Sequence, residues 1–164
     1  MRAGENFINP DRRRRRARGF EKERDLVRKL WKLGFACMRA PASGAKVRRA
    51  IQPDIVAVRN GFILIMEVKS RRECSTVYVD GKQIEKIKEW EKRAGPNAIA
   101  MVAIYAGREI GWRFLTLDKA EVTEGGNYKF TPQVIKGGLD LNQLRMITES
   151  NVGKIDSFCD KNQR

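Results

Sequence analysis

The sequence predicts an α/β domain, a mixed β-sheet flanked by helices. Three observations carry this expectation: three segments with apolar residues at helical spacing, two β-branched runs joined by Asn60-Gly61, and a continuously apolar run at Ala98–Tyr105. At 164 residues and 41% hydrophobic content, the chain suits one core, because a domain of this length buries roughly two thirds of its unfolded surface.

The elements follow in order. The first eighteen residues hold seven arginines, five of them consecutive at Arg12, Arg13, Arg14, Arg15 and Arg16. With little apolar material to pack, residues 1–18 read as a mobile basic arm, either a DNA-phosphate contact or a solvated tail, ahead of a folded domain at 19–164. From Gly19 to Leu33 the pattern is helical: Leu26, Leu30 and Leu33 repeat at i, i+4, i+7, Val27 widens the stripe, and Gly34 supplies a stop. A short extended stretch, Phe35–Arg39, leads into a loop at Ala40–Ala50. Ile51–Val58 and Phe62–Val68 read as strands, and Asn-Gly between such runs is a strong hairpin signal. After a charged linker, Lys82–Ala94 reads as a helix with Ile84, Ile87 and Trp90 on one face, stopped by Gly95-Pro96. Ala98–Tyr105 suits a strand covered on both faces. Trp112–Leu117 reads as a further strand, Thr123–Phe130 as loop or hairpin, and Leu139–Ile147 as a helix through Leu141, Leu144 and Ile147.

A formal charge of +14 and a pI near 10.1 point to a polyanionic partner, because such a field concentrates nucleic acid and releases its counterions. The longest apolar run is too short to span a bilayer, and no apolar stretch of signal-peptide type follows the arginine cluster. Cys37, Cys74 and Cys159 are odd in number and far apart, so neither a disulfide framework nor a zinc site is expected, and a reduced cytoplasmic setting fits. The absence of histidine excludes histidine-dependent nucleases and Ser-His-Asp hydrolases together. Hydrolysis would have to come from carboxylates, lysine and a metal.

Those groups are present at a telling spacing: Pro53-Asp54, then Glu67-Val68-Lys69. Residues i and i+2 of a strand share a face, so Glu67 and Lys69 project together. Folding the hairpin at Asn60-Gly61 brings Asp54 beside them. Carboxylate oxygens are the ligands Mg²⁺ prefers, with Mn²⁺ as the alternative ion, and a bound metal acidifies water and neutralises charge on a phosphate. Lys69 would stabilise that charge or orient the attacking water. The bland alternative is a surface ion pair between Glu67 and Lys69, worth little. Against it, Ile63-Leu64-Ile65-Met66 precedes Glu67 and Ile55-Val56-Ala57-Val58 follows Asp54, so both charges border apolar strands.

Glu23 precedes Leu26, Val27 and Leu30 by three, four and seven positions, which aims it inward from the first helix. Gln83 shares a face with Ile87, Trp90 and Ala94, where its amide needs a partner; capping or core satisfaction and a role in the site remain equal readings.

Taken together, Glu23-Arg24, the loop segment Arg39-Ala-Pro-Ala-Ser43-Gly44, Pro53-Asp54, Glu67-Val68-Lys69 and Gln83 resemble the archaeal Holliday junction resolvases, within the PD-(D/E)xK nuclease superfamily. The similarity runs from about Arg18 into the Gly138-Leu-Asp-Leu segment, with the arginine arm outside it. The resemblance implies a restriction-endonuclease-like fold, a homodimer, Mg²⁺ dependence, paired symmetric cuts in four-way DNA junctions, and a place in DNA recombination and repair. It also implies metal and catalytic roles for Glu23, Asp54, Glu67 and Lys69, and contributions to cleavage from Arg24, Arg39 and Ser43. Lys46, Arg48 and Arg49 in the following loop are expected to track phosphates of a bent substrate, alongside the arm. A nuclease of the same superfamily with another DNA target, or a non-catalytic nucleic-acid-binding domain, fits the composition as well; retention of every candidate ligand favours an enzyme.

Overall fold

The computed structural model describes residues 10–40 and 52–149. The first helix, α1 (Pro10–Lys32), begins nine residues before the expected start at Gly19, so part of the supposed mobile arm is helical. The reasons are local: Pro10 sits where its missing N–H is harmless, Asp11 in the first turn complements the helix dipole, and arginine is a good helix former. The helix ends as expected at Gly34, whose φ of +88° is one that side chains disfavour.

After α1 the chain runs through β1 (Ala36–Arg39), β2 (Ile55–Arg59), β3 (Phe62–Arg71), β4 (Val77–Val79), α2 (Gly81–Ala94), β5 (Ala98–Ala106), α3 (Gly107–Ile110), β6 (Trp112–Thr116), β7 (Glu121–Val122), β8 (Tyr128–Phe130), α4 (Pro132–Lys136) and α5 (Leu141–Ile147). A five-stranded sheet has the order β1-β2-β3-β5-β6, with β3 and β5 parallel and the other neighbours antiparallel. The mixed sheet flanked by helices is thus present as predicted.

The β2–β3 turn is the Asn60-Gly61 hairpin, both residues at positive φ (49° and 81°), as its two-residue geometry demands. Alternation along β3 then sorts the core. Leu64 and Met66 join Leu26, Leu30, Phe35, Phe114 and Leu144 on the α1 and α5 side. Ile65 joins Ile84, Ile87, Val102 and Ile104 under α2.

Two strands depart from their expected limits. The strand expected from Ile51 begins only at Ile55, after Pro53, which has no N–H to give a ladder. The strand expected to end at Val68 continues to Arg71, because β5 pairs in parallel through Arg71↔Ala106; Lys69 therefore lies within the ladder. The charged linker conceals β4, which forms a three-stranded sheet with β8 and β7, so Thr123–Phe130 closes a hairpin. Among the described residues, no helix is long and apolar enough to cross a membrane.

Candidate active site

Asp54 is held at the mouth of β2 by its own backbone. Its N–H donates to the Met66 carbonyl at 3.1 Å, and its carbonyl accepts from the Ala40 N–H at 3.0 Å. The Ile55↔Met66 register then places Asp54 across from Glu67. The side chain is oriented too: Asp54 Oδ2 accepts from the Val68 N–H at 2.8 Å. Val68 thus contributes a backbone donor to the site while its side chain packs on the α1 face of the core.

Glu67 is a carboxylate with 1% of its surface exposed, and such a burial requires compensation. Lys69 Nζ donates to Oε1 at 2.8 Å, Gln83 Nε2 to the same oxygen at 2.5 Å, and Lys86 Nζ to Oε2 at 3.3 Å. Lys69 Nζ also donates to Gln83 Oε1 at 3.1 Å, closing a triangle of Glu67, Lys69 and Gln83. Helix α2 delivers two of these groups because Asp80 caps it, its side chain accepting from the Lys82 N–H. Gln83 then falls in the first turn and Lys86 one turn later, on the same face. Of the two readings open for Gln83, the structure shows a partner inside the cluster.

Lys86 was not singled out from sequence, although its spacing of three from Gln83 was a usable signal. Glu23 does face inward, its side chain 15% exposed, and its Oε2 accepts from Arg39 Nη1 at 3.0 Å. Arg39 in turn lies 5.5 Å from the Phe20 ring centroid. Arg24 is exposed on α1. Ser43, Lys46, Arg48 and Arg49 lie outside the described residues, as do the side chains of Arg12, Arg13, Arg15 and Arg16.

The electrostatics bear on a metal. Burial first, then the charge of Glu67, pushes the Asp54 carboxyl up to about 6 against the pull of the Val68 N–H; Glu23 adds to the rise and Lys69 opposes it. Crowded carboxylates with hard oxygen donors are what a divalent cation relieves. Among the described residues, no three acidic or thiol side chains close into a ready metal cage, and Glu23 is engaged by Arg39. The carboxylate oxygens of Asp54 and Glu67 suit a hard divalent cation that keeps waters in its shell.

With this geometry in place, relationship to known proteins is decisive. Residues 14–152 match the family model of the archaeal Holliday junction resolvase (hjc). The chain belongs to this family. The Hjc match starts at residue 14 rather than near Arg18, so it takes in part of the arginine run that had been expected to lie outside. The crossover junction endodeoxyribonuclease Hjc of Sulfurisphaera tokodaii is 38% identical over 144 residues, spanning 87% of this chain and 96% of that protein. Its counterpart from Sulfolobus acidocaldarius is 36% identical over 146 residues, spanning 87% and 97%. The solved structure of Archaeoglobus fulgidus Hjc, a Holliday junction resolvase from an archaeal hyperthermophile, aligns with a TM-score of 0.66 at 33% identity, covering 79% of this chain and 96% of that one. The Hjc match contains Glu23, Asp54, Glu67, Lys69, Gln83 and Lys86.

Proposed function

We propose that this chain is a structure-specific endodeoxyribonuclease that resolves four-way DNA junctions by metal-dependent phosphodiester hydrolysis, making paired symmetric cuts as a homodimer. The observation that carries the reading is the Asp54, Glu67 and Lys69 cluster, closed by Gln83, in a chain of the Hjc family. Asp54 and Glu67 would hold Mg²⁺, or Mn²⁺ in its place; when bound, the ion supplies Lewis acidity for the attacking water and charge for the phosphate. The protein's own groups do the rest. The Val68 N–H fixes one oxygen of Asp54, so its other oxygen faces the site with defined geometry. Gln83 and Lys86 anchor Glu67, which leaves the Lys69 ammonium free to swing from Glu67 towards the phosphate oxygen that gains charge. Glu23, whose Oε2 accepts from Arg39, would add a further carboxylate to the metal's shell or support that shell from α1.

Glu23→Gln is expected to lower the cleavage rate roughly 10- to 100-fold, the range for groups that support metal ligands. Wild-type turnover by this variant would leave Glu23 only as the partner of Arg39.

A junction presents two strands to sever, and one cluster per chain serves one of them. A two-fold dimer matches that symmetry and is the commonest assembly. Helix α5 does not offer Leu144 to such an interface, because that side chain is fully buried within its own chain. Exposed apolar groups remain at Met38 (70%), Met146 (65%) and Ile147 (38%). The test combines light scattering with cleavage of a synthetic four-way junction and of matched linear duplex, each in Mg²⁺ and in EDTA. The expected result is a dimer that cuts the junction in preference and only with Mg²⁺. A monomer, or equal cutting of duplex, would defeat the resolvase reading and leave a general nuclease.

A further inference from the structure

A second feature adjoins the cluster. Where the C-terminal ends of β3 and β5 meet α1 and α3, an open groove of about 1200 Å³ is walled by six cationic side chains: Arg18, Lys22, Arg71, Arg72, Arg108 and Lys136. It starts where the catalytic strand leaves the active site, since Arg71 and Arg72 follow Lys69 by two and three residues. Among the described residues, none of the six is ion-paired with a carboxylate. Arg18 donates to the Arg14 carbonyl at 3.3 Å, Arg71 to the Ser70 carbonyl at 3.0 Å, and the Lys22 ammonium lies 3.6 Å from the Tyr105 ring centroid. Three exposed carboxylates, Glu21, Glu73 and Glu109, share the wall, so cations outnumber anions two to one.

The helix makes the imbalance larger. Arg14, Arg18 and Lys22 fall at i, i+4 and i+8 of α1, neighbours on one stripe where like charges repel. Such a stripe is unfavourable in the free protein and becomes favourable against a polyanion. The opposite rim is rigid: a Cβ on Gly107 would meet the Arg72 carbonyl oxygen at 2.6 Å, so the start of α3 packs directly on the backbone at Arg72 and Glu73. This close approach holds Arg72 and Arg108 on one rim. The cations come from α1, from the end of β3 and the residue after it, from α3 and from α4, around a groove of this volume, which suits successive backbone phosphates rather than one small anion.

We propose that this groove, with the α1 stripe as its wall, seats the sugar–phosphate backbone of one DNA arm next to the scissile phosphate. The proposal rests on DNA being the substrate. It is tested by plotting log affinity against log salt, in EDTA, for an immobile four-way junction and for linear duplex, using the full-length chain. The triple variant Arg71→Ala/Arg72→Ala/Arg108→Ala is expected to reduce the slope by about 0.9 per lost phosphate contact, up to about 2.7. The corresponding Arg→Lys triple keeps the charge and should keep the slope. Lys92→Ala/Arg93→Ala, at the far end of α2, should bind as wild type does. A wild-type slope for the Ala triple, a slope lost equally in the Lys triple, or an equal fall in the α2 variant would each overturn the proposal. Wild-type protein that cuts duplex as readily as junction sinks the resolvase reading alone, because the groove is still read on duplex.

Discussion

Asp54→Asn, Glu67→Gln and Lys69→Ala are each expected to reduce junction cleavage by about a thousandfold or more, while junction binding in EDTA stays near wild type. The first two substitutions remove charge at constant shape. An amide oxygen at position 54 can still accept from the Val68 N–H, and one at position 67 can still accept from Lys69, while the new amide nitrogen at 67 meets the Lys86 ammonium donor to donor, so Lys86 must turn away and the field is lost. Lys69→Ala removes an ammonium, and Lys86 remains on the other oxygen of Glu67 to limit the damage to the fold. Removal of one preorganised group that meets developing charge lowers turnover by roughly 10²- to 10³-fold, and loss of a metal ligand adds to that. Single-turnover cleavage at saturating enzyme, beside an electrophoretic binding assay, separates the two effects. Loss of binding by a folded variant would show that these residues dock the DNA instead.

Ile84→Ala is expected to destabilise the protein by about 3 kcal/mol, within the range for removing a buried aliphatic side chain. Ile84 is fully buried and packs with Ile65, Ile87 and Val102. It lies between Gln83 and Lys86, so the cavity would loosen the helix that anchors Glu67. Urea denaturation should therefore show a lower midpoint with an unchanged slope, and cleavage should fall at temperatures where the protein is still folded. Trp31→Ala, at a side chain 65% exposed, should change stability by no more than about 0.5 kcal/mol. Equal effects from the two variants would contradict this division between core and surface.

The local sequence was sufficient for the central architecture. Asn60-Gly61 demands one turn geometry, and a two-residue turn fixes how the runs on either side pair, with Ile55 opposite Met66 and Ala57 opposite Leu64. Once that hairpin closes, Asp54, Glu67 and Lys69 must meet, so the heart of the site could be read from period-two alternation and a turn. Glu23 could be placed inward because a helical stripe is also a local property.

The remaining features depend on contacts between distant segments. β4, β7 and β8 are two or three residues long, too short to display a period, and they exist because they pair with one another. β3 continues past Val68 only because β5 lies alongside it. Lys86 and Gln83 reach Glu67 across nineteen and sixteen residues, an approach set by how α2 packs on the sheet. The same packing engaged Glu23 with Arg39, buried Leu144 in its own core, and aligned Arg71, Arg72 and Arg108 with α1. Charges carry little periodic signal of their own; their partners are chosen when the apolar faces lock the elements together.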